Sequence, residues 1–286
     1  MPYCQVNGFV THYSDSGKGE TVLLLHAGGT SSKHWRKIAP LLEDRFRLVA
    51  PDLIGFGGTE SWSGSADLTH DDQADLVRGL AHWAAAGPVH VVGHSYGGAV
   101  AVRLALRYPE MVKSLVLVEP VLTGLLDQQG ETALFEAERE LAQAFIADAV
   151  AGENVRAWRR FIDHHNGDGT WENLSEDAQE RFLDMTRQTA DAYRSNFNNP
   201  TTVGDLRGLQ VLVALASGSE TNETYSKICG ILRASLPNCA AEEVDGAGHM
   251  SPLTHPQAIA DLIEDHIEAS GRAVSAAGLH PLRRAA

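Results

Sequence analysis

Short apolar runs alternate with helix-length amphipathic segments over most of this chain. Several of the runs are continuous rather than alternating, which is typical of parallel strands covered by helices on both faces. The sequence therefore predicts an α/β fold with a mostly parallel sheet. Strands are predicted at Val6–Tyr13, Thr21–Leu25, Phe46–Ala50, Val89–Val92, Leu115–Val118, Gln210–Ala216 and Ala241–Val244. Helices are predicted at Trp35–Leu42, Leu68–Ala86 and Pro256–Glu268.

The pattern changes between residues 121 and 199, where apolar residues recur at helical spacing and no strand is predicted. A helix start is predicted at Ser175. We interpret this stretch as a helical cap, 121–199, inserted into a core formed by residues 1–120 and 200–270. The segment 271–286 has no periodicity and is predicted to be a disordered tail.

Composition narrows the choice of partners. The 286 residues carry a formal net charge of -14, which disfavours nucleic acid and anionic membranes as partners. The three cysteines, an odd number without metal-ligand spacing, favour unpaired thiols in a reducing, cytoplasmic setting. We expect no signal peptide and no membrane span, because no basic segment precedes an apolar run and no apolar stretch is long enough.

One turn carries the clearest chemical signal. The strand Val89–Val92 leads into Gly93–Gly97, which reads Gly-His-Ser-Tyr-Gly, and a helix of small residues follows. A Gly-x-Ser-x-Gly turn between a strand and a helix lifts the serine hydroxyl to the tip of a sheet. Ser95 is therefore the candidate nucleophile. A serine hydroxyl needs a base, and among 13 histidines only His249 lies in a short loop after a late predicted strand.

These motifs, in this order, resemble the α/β-hydrolase-fold superfamily, in particular its capped serine esterases and lactonases. The resemblance covers roughly residues 5–270. It is carried by His26–Gly29, Asp52–Gly57, Gly93–Gly98 and Gly246–His249. It implies an oxyanion hole formed by the backbone amides of Gly28 and Tyr96. Ala27 stands where the family usually has glycine, which leaves Ala27 as an alternative to Gly28.

The acid that orients the histidine is where the chain departs from the family pattern. The usual position after the penultimate strand, three residues past Gly218, holds Thr221, which cannot serve. Some relatives place the acid after the strand that follows the nucleophile helix, and Glu119 stands there. A carboxylate that ends an apolar strand is costly to bury unless it has a partner, and His249 is a suitable one. Glu119 is therefore favoured, while three alternatives stay open: Glu220, Glu223 and Asp245.

The resemblance implies hydrolysis of a small, largely apolar carboxylic ester or lactone through an acyl-serine intermediate, with no cofactor and no metal. A carbon–carbon bond hydrolase, a perhydrolase or a lyase with the same triad is an alternative, as is a non-catalytic ligand-binding receptor. Five other residues are interpreted as lying outside the catalytic chemistry. Asp52 is expected to tie the glycine-rich loop, His26 to brace the oxyanion loop and His94 to pack behind the serine. The pair His164-His165 is expected to be a solvated helix end rather than a metal site.

Overall fold

The protein is described by a computed structural model that covers residues 2–276, with side chains described for residues 2–272. Eight strands form one sheet in the order β1-β2-β4-β3-β5-β6-β7-β8. The strands are β1 (Tyr3–Val6), β2 (Phe9–Ser16), β3 (Glu20–Leu25), β4 (Phe46–Pro51), β5 (Val89–His94), β6 (Val112–Val118), β7 (Val213–Gly218) and β8 (Cys239–Val244). Strands β3 to β8 are parallel, and only β1 and β2 run antiparallel to their neighbours. This arrangement confirms the predicted fold class.

Twelve α-helices lie within the described residues. They are α1 (Ala39–Leu42), α2 (His70–Ala84), α3 (Tyr96–Arg107), α4 (Gly124–Gln128), α5 (Thr132–Val150), α6 (Asn154–Asn166), α7 (Glu176–Leu183), α8 (Thr186–Phe197), α9 (Val203–Gly208), α10 (Glu223–Ser235), α11 (Ser251–Thr254) and α12 (Pro256–Ala276). Short 3-10 helices lie at Ser32–Lys37, Pro109–Met111 and Trp171–Asn173. None of the helices described is long and apolar enough to cross a membrane.

The central strands are apolar on both faces because each face is covered by helices. Along β3, Leu23 and Leu25 pack into the core beneath α2, α3 and α10, while Val22 and Leu24 pack on the opposite side with α1 and α12. Strand β5 is buried along its whole length between β3 and β6. The parallel strands therefore bring the carboxyl ends of β5, β6 and β7 to one edge of the sheet, where ligands bind in such folds.

The residues between β6 and β7 form helices α4 to α9, of which α4 to α8 lie in the stretch 121–199 predicted to be helical. Helices α5 to α8 form a helical insertion with an apolar cluster of its own. Trp158, fully buried at its centre, packs against Phe145 and Phe182 and donates a hydrogen bond to Thr186 Oγ1 at 2.9 Å. Ser175 caps α7 as predicted. The insertion can therefore hold its shape above the sheet edge.

Several predicted elements differ at their ends or in type. The single edge strand predicted at Val6–Tyr13 is a hairpin of β1 and β2, joined at Asn7-Gly8 where both residues have positive φ. The helix predicted at Trp35–Leu42 is a 3-10 helix followed by α1, because Pro40 has no amide hydrogen to continue an α-helix. Helix α12 runs past the predicted end at Glu268 to Ala276. Of the predicted tail, residues 277–286 lie outside the described residues.

Candidate active site

The turn at Ser95 is as sharp as the sequence predicts. Strand β5 ends at His94 and α3 begins at Tyr96, so Ser95 alone makes the reversal, with φ 54° and ψ −117°. A side chain on Gly93 would overlap the carbonyl of Gly97, and one on Gly97 would overlap the carbonyl of Leu25. Both glycines are therefore needed to hold Ser95 in this strained conformation.

Ser95, His249 and Glu119 form a hydrogen-bonded chain although they are far apart in sequence. The Ser95 hydroxyl lies 3.0 Å from His249 Nε2, and His249 Nδ1 donates to Glu119 Oε2 at 2.7 Å. Glu119 follows the end of β6, and His249 lies in the loop between β8 and α11. All three side chains are buried. The structure therefore brings together the three residues that the sequence singled out for nucleophile, base and acid.

Glu119 is held by more than the histidine. Its Oε1 accepts the amide of Gly218 at 2.7 Å, and its Oε2 accepts the Thr221 hydroxyl at 2.8 Å. Burial by itself would raise the pKa of the Glu119 carboxyl, but the hydrogen bonds and charge of His249, with those from Gly218 and Thr221, outweigh it and lower the pKa. The site therefore keeps this carboxyl ionised.

The alternative acids lie elsewhere. Glu220, Glu223 and Asp245 are all exposed, and no hydrogen bond joins any of them to His249. Thr221, at the position usual for the acid, donates its hydroxyl to Glu119 instead. The loop after β7 thus supports the carboxylate rather than supplying it.

The predicted oxyanion donors lie beside the serine. Gly28 and Tyr96 both line the cavity that contains Ser95, and the Tyr96 amide is the first of α3, where no carbonyl one turn earlier can accept it. Within the described residues the amides of Ala27, Gly28 and Tyr96 have no hydrogen-bond partner. His26 braces this loop as predicted, because its Nδ1 donates to Ala27 O at 2.8 Å and its Nε2 accepts the Leu53 amide at 3.0 Å.

The structural roles predicted for His94 and Asp52 are confirmed. His94 Nε2 donates to the carbonyl of His249 at 2.8 Å, and its Nδ1 lies 3.0 Å from His34 Nε2. Burial holds the pKa of His94 well below its usual value and lowers that of His34 to about 3, so both rings are neutral. Asp52 accepts the amide of Gly58 at 2.8 Å and that of Ser32 at 2.7 Å, which ties the glycine-rich loop.

Two aromatic side chains that the sequence did not place in the site, Tyr225 and His165, lie against His249. The Tyr225 ring stacks on the imidazole with centroids 3.9 Å apart and 10° between the planes. His165 stacks at 5.9 Å, and its Nδ1 lies 3.4 Å from the Tyr225 hydroxyl. The expectation of a solvated His164-His165 pair is therefore wrong for His165, which lines the cavity and whose pKa is lowered well below the usual value by burial. Its helix turns one histidine inward and leaves His164 exposed.

A cavity of about 340 Å³ opens onto Ser95 and His249 between the sheet edge and the inserted helices. Its lining is mainly aliphatic and aromatic, including Phe161, Ile162, Leu174, Phe182, Phe197 and Leu253. Glu138 is the one carboxylate among the lining residues described, and no lysine or arginine is among them. Across the described residues, no three or more His, Cys, Asp or Glu side chains are grouped so that they could hold a metal ion. Apolar side chains therefore enclose most of the cavity, and Ser95 and His249 lie in its wall.

Known proteins share a family and a fold with most of this chain. The family model described as "Alpha/beta hydrolase family" matches residues 22–262. The uncharacterized hydrolase YugF of Bacillus subtilis is 27% identical over 270 residues, 92% of this chain and 95% of YugF. A 2-hydroxymuconate semialdehyde hydrolase of Pseudomonas sp. is 33% identical over 150 residues, which span 49% of this chain and only 53% of that relative.

Solved structures share the fold. A variant of CumD, a meta-cleavage product hydrolase, superposes with a TM-score of 0.74 at 21% identity, covering 94% of this chain and 98% of that one. A thermophilic esterase from Thermogutta terrifontis gives a TM-score of 0.70 at 21% identity, covering 94% and 97%. With the family model matched from the third strand to the last helix, this chain belongs to the alpha/beta hydrolase family.

Proposed function

We propose that this protein is a serine hydrolase that cleaves small, largely apolar carboxylic esters or lactones through an acyl-serine intermediate. The observation that carries the proposal is the continuous chain of hydrogen bonds from Ser95 through His249 to Glu119 at the floor of an apolar cavity. A nucleophile, a base and an orienting acid in this relation are the arrangement that acyl transfer requires.

In the first half of the reaction Ser95 Oγ attacks the ester carbonyl while His249 Nε2 takes the hydroxyl proton. The carbonyl oxygen becomes an anion, which the amides of Gly28 and Tyr96 bind, each contributing on the order of 3 kcal/mol to lowering the barrier. The ionised Glu119 holds the Nδ1 proton and stabilises the imidazolium. Collapse of the intermediate breaks the carbon–oxygen bond, and His249 returns the proton to the leaving alcohol.

In the second half a water molecule attacks the acyl-serine and gives a proton to His249. The second tetrahedral intermediate collapses, the proton returns to Ser95 Oγ, and the carboxylic acid leaves. With a lactone the alcohol and the acid belong to one hydroxy acid. Each step is supplied by this chain and water.

The test is Ser95→Ala assayed with p-nitrophenyl butyrate. We expect turnover to fall by roughly 10³-fold or more while the far-UV circular dichroism stays unchanged, because the nucleophile is removed without touching the fold. Ser226→Ala, an exposed serine of α10, is the control and should keep full activity. Full activity in Ser95→Ala would remove Ser95 from the mechanism, and binding without turnover in the wild type would favour a ligand-binding receptor.

A carbon–carbon bond hydrolase is the second candidate, favoured by the names of similar proteins. One from Comamonas testosteroni, 29% identical over 165 residues and matched over 56% of its length, is a 2-hydroxy-6-oxo-6-phenylhexa-2,4-dienoate hydrolase. A dienoate is an anion, and burying it needs a cationic partner. No lysine or arginine is among the lining residues described, and Glu138 would repel a carboxylate. This supports the ester over the dienoate, and faster cleavage of the dienoate than of p-nitrophenyl butyrate would reverse the choice.

A further inference from the structure

Glu138 of α5 is a buried carboxylate in the cavity wall without an arginine or lysine partner. The residue is only 4% exposed, and its Oε1 accepts a hydrogen bond from His164 Nε2 at 3.3 Å. Its Oε2 has no hydrogen-bond partner among the described residues. Asp148, the other buried acid of α5, instead pairs with Arg156 and Arg160. Burying a carboxylate is costly, and because no lysine or arginine pairs with Glu138, its second oxygen is available to a ligand in the cavity.

A second buried group lies beside it and points to the same conclusion. Tyr193 of α8 lines the cavity, is only 6% exposed, and its hydroxyl has no hydrogen-bond partner in the described part of the chain. Burial, with a further contribution from the charge of Glu138, raises the pKa of Tyr193 well above its usual value. Burial followed by the charge of Glu138 does the same to Tyr225, which stacks on His249. Glu138, Tyr193 and Tyr225 all line the cavity that contains Ser95 and His249.

Aromatic rings complete this part of the wall. Phe161 lies edge-on to Tyr193, with centroids 5.9 Å apart, and both line the cavity. Aromatic faces carry negative charge density and attract cations, most strongly where water is excluded. A carboxylate among aromatic rings, with no lysine or arginine in the described lining, is the chemistry that recognises an ammonium group.

We propose that Glu138, Tyr193 and Phe161 form a subsite for a positively charged nitrogen, an ammonium or quaternary ammonium group, carried by the substrate. The inference rests on the proposed ester hydrolysis and narrows its substrate class to apolar esters that bear a cation. Glu138 supplies the charge, Tyr193 and Phe161 supply ring contacts, and the subsite holds the cation while the ester lies at Ser95. The net charge of -14 adds a long-range attraction for cationic substrates.

The experiment compares kcat/KM for esters that differ only in charge. On the alcohol side the pair is acetylcholine and its neutral isostere 3,3-dimethylbutyl acetate. On the acyl side p-nitrophenyl hexanoates carry a terminal trimethylammonium, tert-butyl or carboxylate group. We expect the cationic ester to exceed its neutral isostere by roughly tenfold or more in at least one of the two arrangements, and the carboxylate to be the poorest. A ratio of one or less in both arrangements would overturn the proposal.

Glu138→Gln keeps the size of the side chain and removes its charge, so the ratio of cationic to neutral kcat/KM should fall toward one. Glu140→Gln is the matched control, because Glu140 is an exposed acid two residues away on α5 and its loss changes the net charge equally. The Glu140→Gln protein should keep the wild-type ratio. Equal ratios in the two variants would show that long-range attraction, not the subsite, selects the cation.

Binding separates this proposal from ester hydrolysis itself. Isothermal titration calorimetry of the Ser95→Ala protein with the same esters needs no turnover and no change at Glu138. Tighter binding of the cationic ester supports the subsite even if the wild type hydrolyses none of them, an outcome that would reject only the proposed function. Equal or weaker binding of the cationic ester rejects the subsite even if neutral esters are hydrolysed.

Discussion

Glu119 is the residue whose position the sequence predicts best on physical grounds. A carboxylate at the end of the apolar strand β6 needs compensation, and it receives it from His249, Gly218 and Thr221. Tyr225 gave no comparable signal, because a tyrosine in an amphipathic helix is ordinary core packing and its stacking on His249 depends on how α10 meets the loop after β8. The side chains that line the cavity roof, Glu138 among them, depend on helix packing in the same way.

Replacing Glu119 tests whether this single residue orients His249. Glu119→Gln should lower kcat for p-nitrophenyl butyrate by roughly 10³-fold or more, because a neutral amide neither fixes the Nδ1 proton of His249 nor stabilises the imidazolium. Glu220→Gln, an exposed acid in the loop after β7, is the matched control and should stay near the wild type. The reverse order of the two variants would transfer the orienting role to Glu220.

At the scale of elements, periodicity predicts the helices that are long and amphipathic and the strands that are continuously apolar. The parallel strands and the helices of the insertion are recovered because their burial patterns repeat over many residues. Local turn chemistry was missed at Asn7-Gly8, where two left-handed residues convert a predicted strand into a hairpin. Pro40 likewise interrupts a predicted helix. How the insertion sits over the sheet, and hence the cavity, depends on packing between helices that periodicity does not encode.

The stability of the helical insertion should depend on Trp158. Its ring is fully buried, touches Phe145, Phe161 and Phe182, and approaches Gly29 of the oxyanion loop. Trp158→Ala should lower the free energy of unfolding by about 3–5 kcal/mol, measured by urea denaturation, because it opens a large cavity in a small core. The control is Trp83→Ala, whose side chain is 51% exposed and which should cost less than about 1 kcal/mol. Equal losses would mean that the insertion has no core of its own.

On the scale of the whole molecule, this acidic protein encloses several neutral histidines in and near the candidate active site. His94 and His165 pack against His249, His34 stacks on His94, and His70 packs against Tyr96. Burial is the main cause of the lowered pKa in each of these four. Composition shows 13 histidines but not which are enclosed, since that depends on contacts between segments distant in sequence. The lowered pKa values of these histidines are therefore a property of the folded chain.

These histidines should make stability depend steeply on pH. Burial lowers the pKa of His34 and His70 from 6.5 to about 3, so between these values the unfolded chain binds more protons than the folded one. The free energy of unfolding therefore increases as pH rises from 3 to 6.5 and decreases as pH falls through the same range. The slope is about 1.4 kcal/mol per pH unit for each such histidine. Urea denaturation between pH 5 and 6 measures this slope.

The slope can be assigned by substitution at single histidines. His34→Asn and His70→Asn should each reduce it by about 1.4 kcal/mol per pH unit, whatever their effect on stability at pH 7, because each removes one group that charges only on unfolding. His82→Asn is the control: the side chain is exposed on α2, so its hydration changes little on unfolding and the slope should stay the same. An unchanged slope in the His34 and His70 variants would mean that these rings are not held neutral by burial.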